Sequence, residues 1–363
     1  MGGIIVLVSM WDELKTDTFA VLKPAPLSLK HYIIPVFIPE LACPNRCVFC
    51  NQQKISGQIL IPTEHEIIAQ IENYLAGFPV GAHVEIGFFG GSFTGVPFDE
   101  QEMFLQIAQI YLEHERIQGI RVSTRPDYIS VEKLALLKRY GVTTIELGAQ
   151  SLSEDVLLLS KRGHSVLDVE RAAELIISSG FSLGLQMMTG LPGDTLEKTL
   201  MTARKIVALG ADNTRIYPAL VIKNTELEEL YQQGEYVPLT LEEAVSRVKQ
   251  LIPIFEEAGV TILRIGLHPS EGLLNGEDLV AGPFHQSFRE LVESALWGDL
   301  FKDLFEMTSG NMIEISVPSG HRTMAIGYHA ENRKHLELKY KKVRFIEDGG
   351  LKNHQFRFQI INQ

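Results

Sequence analysis

Three cysteines, Cys43, Cys47 and Cys50, lie within eight residues in the run CPNRCVFC, and the chain holds no others. An odd count cannot close a disulfide set. Cysteines used as small core fillers would be scattered along 363 residues rather than gathered in one loop. Their clustering points to thiolates converging on one soft metal centre. Structural zinc wants four protein ligands, commonly as two pairs. His31 and His65 flank the segment, but neither has finger-like spacing. A [4Fe–4S] cluster normally takes four thiolates, and three would leave one iron open to a small molecule. A three-Cys cluster, a zinc site and unliganded thiols are the readings, in that order.

The elements around this loop alternate in a regular way. Strand-like runs appear at 32–38, 83–89, 120–124, 143–147, 181–187, 213–218 and 260–265. Between them lie helical segments with start signals at Thr63/Glu66, Ser165/Asp168, Asp194/Glu197 and Thr240/Glu243. Gly141, Gly180, Gly210 and Gly259 stand where helices should end. The segment 165–180 places Val166, Val169, Ala173 and Ile176 or Ile177 on one face. Such alternation means parallel strands with right-handed crossovers, which fits a doubly wound sheet and a barrel equally.

Several motifs fall at the ends of these strands. The paired glycines of FFGGSFTG (88–95) suit either a close backbone approach to a ligand or a tight turn. Arg125 in STRPDYI is placed to bind a carboxylate, or to cap a helix or join a salt bridge. Gln150 in ELGAQS offers donors and an acceptor, and Arg162 in KRGHS could reach a carboxylate.

The C-x3-C-x2-C loop, with Phe49 just before the last cysteine, resembles the cluster loop of radical S-adenosylmethionine (SAM) enzymes. The resemblance implies an α/β fold, a partial (βα)6 TIM-like barrel, with a [4Fe–4S] cluster on Cys43, Cys47 and Cys50. It also implies that SAM binds the open iron and is cleaved by an electron to a 5′-deoxyadenosyl radical. The Gly-Gly motif of that family puts SAM contacts on Gly90, Gly91 and Ser92. A looser likeness to oxygen-independent coproporphyrinogen oxidase puts others on Gln150, Arg162 and Gln186. Arg125 joins this set, and Phe49 and Tyr217 would flank the adenine. GGSFTG, STRPDY, ELGAQS, KRGHS, GLPGD and the run 216–236 together resemble the radical SAM domain of the Elongator catalytic subunit and its archaeal and bacterial relatives. That likeness makes a tRNA base the leading substrate and a flavodoxin- or ferredoxin-type protein the electron donor. It does not extend to an acetyltransferase domain, since no Q-x-x-G-x-G loop follows residue 270. Some coproporphyrinogen oxidase relatives carry haem, and in that rival reading His268 and His285 would be axial ligands.

Three divisions are expected: a leader over 1–30, the barrel over 31–270 and a C-terminal α+β module over 271–363. The composition is globular, with 45% apolar and 21% charged residues. A net charge of −12 disfavours general binding to phosphate backbones. No apolar run approaches the ~20 residues of a membrane helix, and the short run Ile4–Val8 lacks the form of a signal peptide. A cytoplasmic protein without a membrane partner is expected. From Ser319 onward, nine Lys/Arg face four Asp/Glu. The runs 312–318, 323–329, 335–340, 342–346 and 354–361 read as antiparallel strands after one amphipathic helix over 282–301. Tyr328, Tyr340, Phe345, Phe356 and Phe358 either pack inward or stack on single-stranded nucleic acid.

Overall fold

The computed structural model describes residues 31–38, 47–51, 54, 60–267, 270–307 and 310–361. The expected leader, Cys43 and His268 lie outside the described residues. The described residues form two compact units: Leu29–Arg247 with Leu251–Gln286, and Ser287–Gln363 with Val248–Gln250.

The first unit is built on β1 (His31–Ile38), β2 (His83–Gly90), β3 (Gly119–Thr124), β4 (Val142–Gln150), β5 (Ser182–Thr189) and β6 (Asn213–Pro218). A short ribbon strand, β7 (Val221–Ile222), and the last sheet strand, β8 (Thr261–Ile265), follow. The sheet order is β1-β2-β3-β4-β5-β6-β8, and every pair is parallel. A doubly wound sheet reverses its order at a switch point. This order never reverses, so successive right-handed crossovers keep the helices on one face and the sheet curls into a half-barrel. β7 pairs antiparallel with β9 (Leu279–Ala281) outside that sheet.

Local signals set most helix starts. Thr63 with Glu66 and Ser165 with Asp168 form reciprocal capping boxes. Thr240 and Glu243 exchange the same pair of hydrogen bonds. At the fourth site the cap is Thr195, which accepts from the Lys198 N–H, and not Asp194. Asp194 instead accepts from the Gly190 N–H at 2.7 Å and pairs with Arg247 at 3.1 Å. Helix Val166–Ser178 buries Val166, Val169, Ala172, Ala173 and Ile176, while Ile177 is exposed.

The strands bury both faces, and the two-residue period separates them. On β1, Ile34, Val36 and Ile38 are buried, whereas His31, Ile33, Pro35 and Phe37 line a cavity. The cavity-side positions of the next strands carry Glu85, Arg121, Glu146, Gln186 and Arg215. The same face therefore carries both apolar and polar groups toward the cavity.

The second unit has one long helix, Phe288–Leu300, shorter than the expected 282–301. Its strands are β10 (Gly310–Val317), β11 (Tyr340–Glu347) and β12 (Arg357–Ile361) in the order β11-β10-β12. β10 and β12 are antiparallel, but β10 and β11 are parallel. The runs 323–329 and 335–340 are largely helical, as Arg322–Ile326 and Glu331–Glu337, because a parallel pair needs a crossover between its strands. Tyr340, Phe345, Phe356 and Phe358 are buried with Trp297 and Phe301 in one aromatic core. These four rings pack inward and leave no stacking platform of their own; Tyr328 is half-buried.

Candidate active site

Residues 47–50 make a tight turn in which the Cys50 N–H donates to the Cys47 carbonyl at 3.0 Å. The Val48 N–H donates to the Ser160 carbonyl and the Val48 carbonyl accepts from the Leu227 N–H. Two distant segments thus hold this turn. Cys47 is buried, and its Sγ accepts from Arg162 Nη1 at 3.1 Å. A guanidinium at that distance stabilises negative charge on the sulfur. Cys50 and Phe49 face a cavity of about 520 Å³, with Gly90, Gln150, Gln186 and Tyr217 on the same wall.

The end of β4 shapes one side of this wall. Gln150 has φ +65°, an uncommon conformation for a side-chain-bearing residue. Its Oε1 is buried with no hydrogen-bond partner among the described residues. Strained backbone beside an unmet acceptor is a feature that clusters at ligand sites. Gly148 makes the arrangement possible, since a Cβ there would stand 3.0 Å from Gln150 Nε2 and 3.4 Å from Arg162 Nη2. At the end of β2, Gly90 has φ +98°, and a Cβ would meet the Ile38 carbonyl at 2.4 Å. Glycine is required there by close strand approach.

Gly91, Ser92, Arg125 and Arg162 are not among the residues that line the cavity. The Gly91 N–H donates to the Ile38 carbonyl at 2.8 Å. Ser92 Oγ bonds Thr124 Oγ1 at 2.9 Å and accepts from the Arg125 N–H at 3.1 Å. Arg125 donates from Nε and Nη2 to Asp127 and from Nη2 to the Arg162 carbonyl at 2.6 Å. Its carboxylate partner is thus within its own loop. Arg162 donates from Nη2 to the Gly148 carbonyl at 2.6 Å, which ties the cysteine turn to β4. His285 is half-buried and not on the cavity wall.

Beneath the cavity runs a buried charge network that motif reading missed. Arg121 donates from Nε and Nη2 to Glu85 and from Nη1 to Glu146 at 2.7 Å. Arg215 donates to both oxygens of Glu146, at 2.6 and 3.0 Å. His31 bonds Glu85 at 2.9 Å, and Gln186 Nε2 donates to Glu146 and Ser123. Burial alone would raise the Glu146 carboxyl, but Arg215 and Arg121 hold it below the ordinary carboxylate range. Glu85 behaves alike: burial opposes ionisation, yet His31 and Arg121 bring it to about 2. Burial raises the Tyr217 phenol. The available signal was one charged residue at cavity-side parity within each of HVEIGFF, IRVST, TTIEL and NTRIYP.

A singly wound parallel sheet with a cysteine turn on the wall of its cavity defines a barrel-type enzyme site. The Radical SAM superfamily model matches residues 38–206, and the Radical_SAM C-terminal domain model matches 211–297. An uncharacterized protein of Methanocaldococcus jannaschii is 32% identical over 233 residues, covering 60% of this chain and 70% of that one. The chain belongs to the radical SAM superfamily and is an enzyme. Its radical SAM region is Elongator-like. A tRNA uridine(34) acetyltransferase of Methanocaldococcus infernus is 33% identical over 193 residues, 47% of this chain and 36% of that protein. The chain thus spans little more than a third of that relative. The solved structure of archaeal Methanocaldococcus infernus Elp3, lacking its N-terminus, superposes with a TM-score of 0.61 at 25% identity. It covers 74% of this chain and 63% of that one. No helix among the described residues is long and apolar enough to cross a membrane.

Proposed function

We propose that Cys43, Cys47 and Cys50 hold a [4Fe–4S] cluster, that SAM binds in the cavity beside it, and that the substrate is an RNA base, in tRNA foremost. The observation that carries this reading is the Cys47–Cys50 turn on the cavity wall beside the unmet Gln150 acceptor. When bound, the cluster supplies the electron that splits SAM into methionine and a 5′-deoxyadenosyl radical able to abstract hydrogen.

The chain's own residues prepare for this. Arg162 offsets thiolate charge at Cys47 and fixes its side chain. Gln150 Oε1, buried with no partner among the described residues, would accept an N–H donor of SAM. Phe49 and Tyr217 give flat walls for the adenine, and Gly90 lets the β2 end approach. Gly91, Ser92 and Arg125 are positioning residues: they fix the β2 and β3 ends, and Arg125 holds the Arg162 backbone. Gln186, tied to Glu146, presents a polar floor. The apolar wall of Ile33, Phe37 and Phe89 limits water around the reacting groups. The electron donor is of flavodoxin or ferredoxin type. The tRNA reading is supported by the tRNA uridine(34) acetyltransferases among the relatives.

Anaerobic reconstitution with iron and sulfide, then SAM and dithionite, tests the reading. Wild-type protein is expected to form 5′-deoxyadenosine and Cys47→Ala none. A reconstituted protein that takes up zinc but no iron–sulfur cluster would sink it.

A further inference from the structure

Outside the barrel, a hollow of about 580 Å³ in the second unit is lined largely by cations. Its wall carries Arg322, Arg333, Lys342 and Arg344 against a single carboxylate, Glu347. We propose that this hollow is a phosphate-binding site for an RNA backbone, formed by Arg322, Arg333, Lys342 and Arg344 along the edge strand β11. The proposal rests on RNA being the substrate and adds where RNA docks.

The four cations come from three elements: the helix Arg322–Ile326, the helix Glu331–Glu337 and β11. β11 is the outer strand of its sheet, so its free edge accompanies the cations. Lys342 and Arg344 lie two residues apart on it, about 7 Å along the strand and on one side. Arg344 pairs with Glu314 at 3.1 Å, but Arg322, Arg333 and Lys342 have no carboxylate partner among the described residues. Arg333 sits over the Phe345 ring at 5.9 Å, and its Nε is buried without a hydrogen-bond partner. A guanidinium held against a ring with an unmet donor is preorganised for an acceptor such as a phosphate oxygen. The charge is also segregated: this tail has nine Lys/Arg and four Asp/Glu in a chain whose net charge is −12. A row of cations in one hollow fits a run of phosphates better than one small anion. The rival explanation is that the lysine and arginines only guard the edge of β11 against pairing with another chain.

Binding of fluorescein-labelled tRNA to the full-length protein, measured by anisotropy across a salt series, separates these. Arg333→Gln/Lys342→Gln is expected to weaken binding about tenfold or more. Its plot of log Kd against log salt should be shallower by about 1 to 2. The exposed single variant Lys342→Gln should show part of both effects and guards against misfolding of the double variant. Both variants should still form 5′-deoxyadenosine at the wild-type rate. Unchanged affinity and slope in the variants would overturn the site while leaving the RNA substrate standing. Wild-type protein that binds no RNA would overturn both.

Discussion

In the first unit Glu85, Arg121, Glu146 and Arg215 occupy the inside of the curled sheet; in the second, Trp297, Phe301, Tyr340 and Phe356 fill the equivalent space. The second unit places its cations along the edge of β11 instead. The difference follows from what each interior must do. A core that only stabilises is best packed with rings and aliphatic groups at full density. A wall around a reacting ligand must leave room and must offer polar groups that do not move. Two carboxylates and two guanidiniums locked in mutual bonds satisfy that demand with no net charge. Such networks are weak evidence for stability, because desolvation offsets much of the attraction. The bonds here tie β2, β3, β4 and β6 together beneath the cavity.

Paired substitutions should break this comparison most sharply. Glu146→Leu takes the carboxylate from buried Arg215 and leaves Arg121 only Glu85, so a loss of about 3–5 kcal/mol is expected in urea unfolding. Adding Arg215→Met should recover part of it, since one uncompensated cation is then gone. Trp297→Ala should cost a similar 3–5 kcal/mol through a cavity, with no second change of charge able to rescue it. If Glu146→Leu proves neutral, the network is not what keeps the lumen in shape.

Acid should act on the first unit through His164. Burial, with Arg162 and Arg125 nearby, lowers this imidazole to about 4. The unfolded chain then binds a proton that the folded chain refuses. Stability from this residue is full above about pH 6.5 and is lost as pH falls toward 4. The expected loss is up to about 3 kcal/mol. A His164→Gln variant should flatten the urea midpoint between pH 6.5 and 4. Glu85 adds a separate loss below about pH 4.5, as protonation removes its bonds to His31 and Arg121. An unaltered pH profile in His164→Gln would show that another group carries the acid limb.

A smaller effect is expected at the ligand wall. Gln150→Ala removes the unmet acceptor and should weaken SAM binding about 10- to 100-fold, the worth of a hydrogen bond to a charged group. Calorimetric titration of the reconstituted protein reads this directly. Equal affinity in both proteins would remove Gln150 from the site. The smallest effect is local. Ser165→Ala deletes a helix cap and should cost about 1 kcal/mol, independent of the type of core beneath it.

The parallel alternation of strands and helices, most helix starts and the gathering of the cysteines were legible in the sequence because each rests on neighbours in the chain; the strand order, which separates a barrel from a doubly wound sheet, was not. Thr63 and Glu66 make their box within one turn, and the parallel sheet is implied by the rhythm of runs between 32 and 265. The C-terminal runs misled because alternation over five or six residues does not distinguish a strand from a short crossover helix. Thus 323–329 and 335–340, read as strands, are largely helical.

By itself, then, the sequence determined the α/β alternation and the gathering of three cysteines in one loop, since periodicity, capping and spacing are local properties. Only the tertiary structure decided which polar groups meet. Arg121 reaches Glu85 and Glu146 across 36 and 25 residues, and Arg162 reaches the Cys47 sulfur across 115. Arg125, which the sequence places at a strand end where it could take an outside carboxylate, is turned instead to Asp127 and the Arg162 carbonyl. Partner choice among buried charges depends on strand register and sheet curvature. Both are set by packing over the whole unit, and no short stretch of chain contains them.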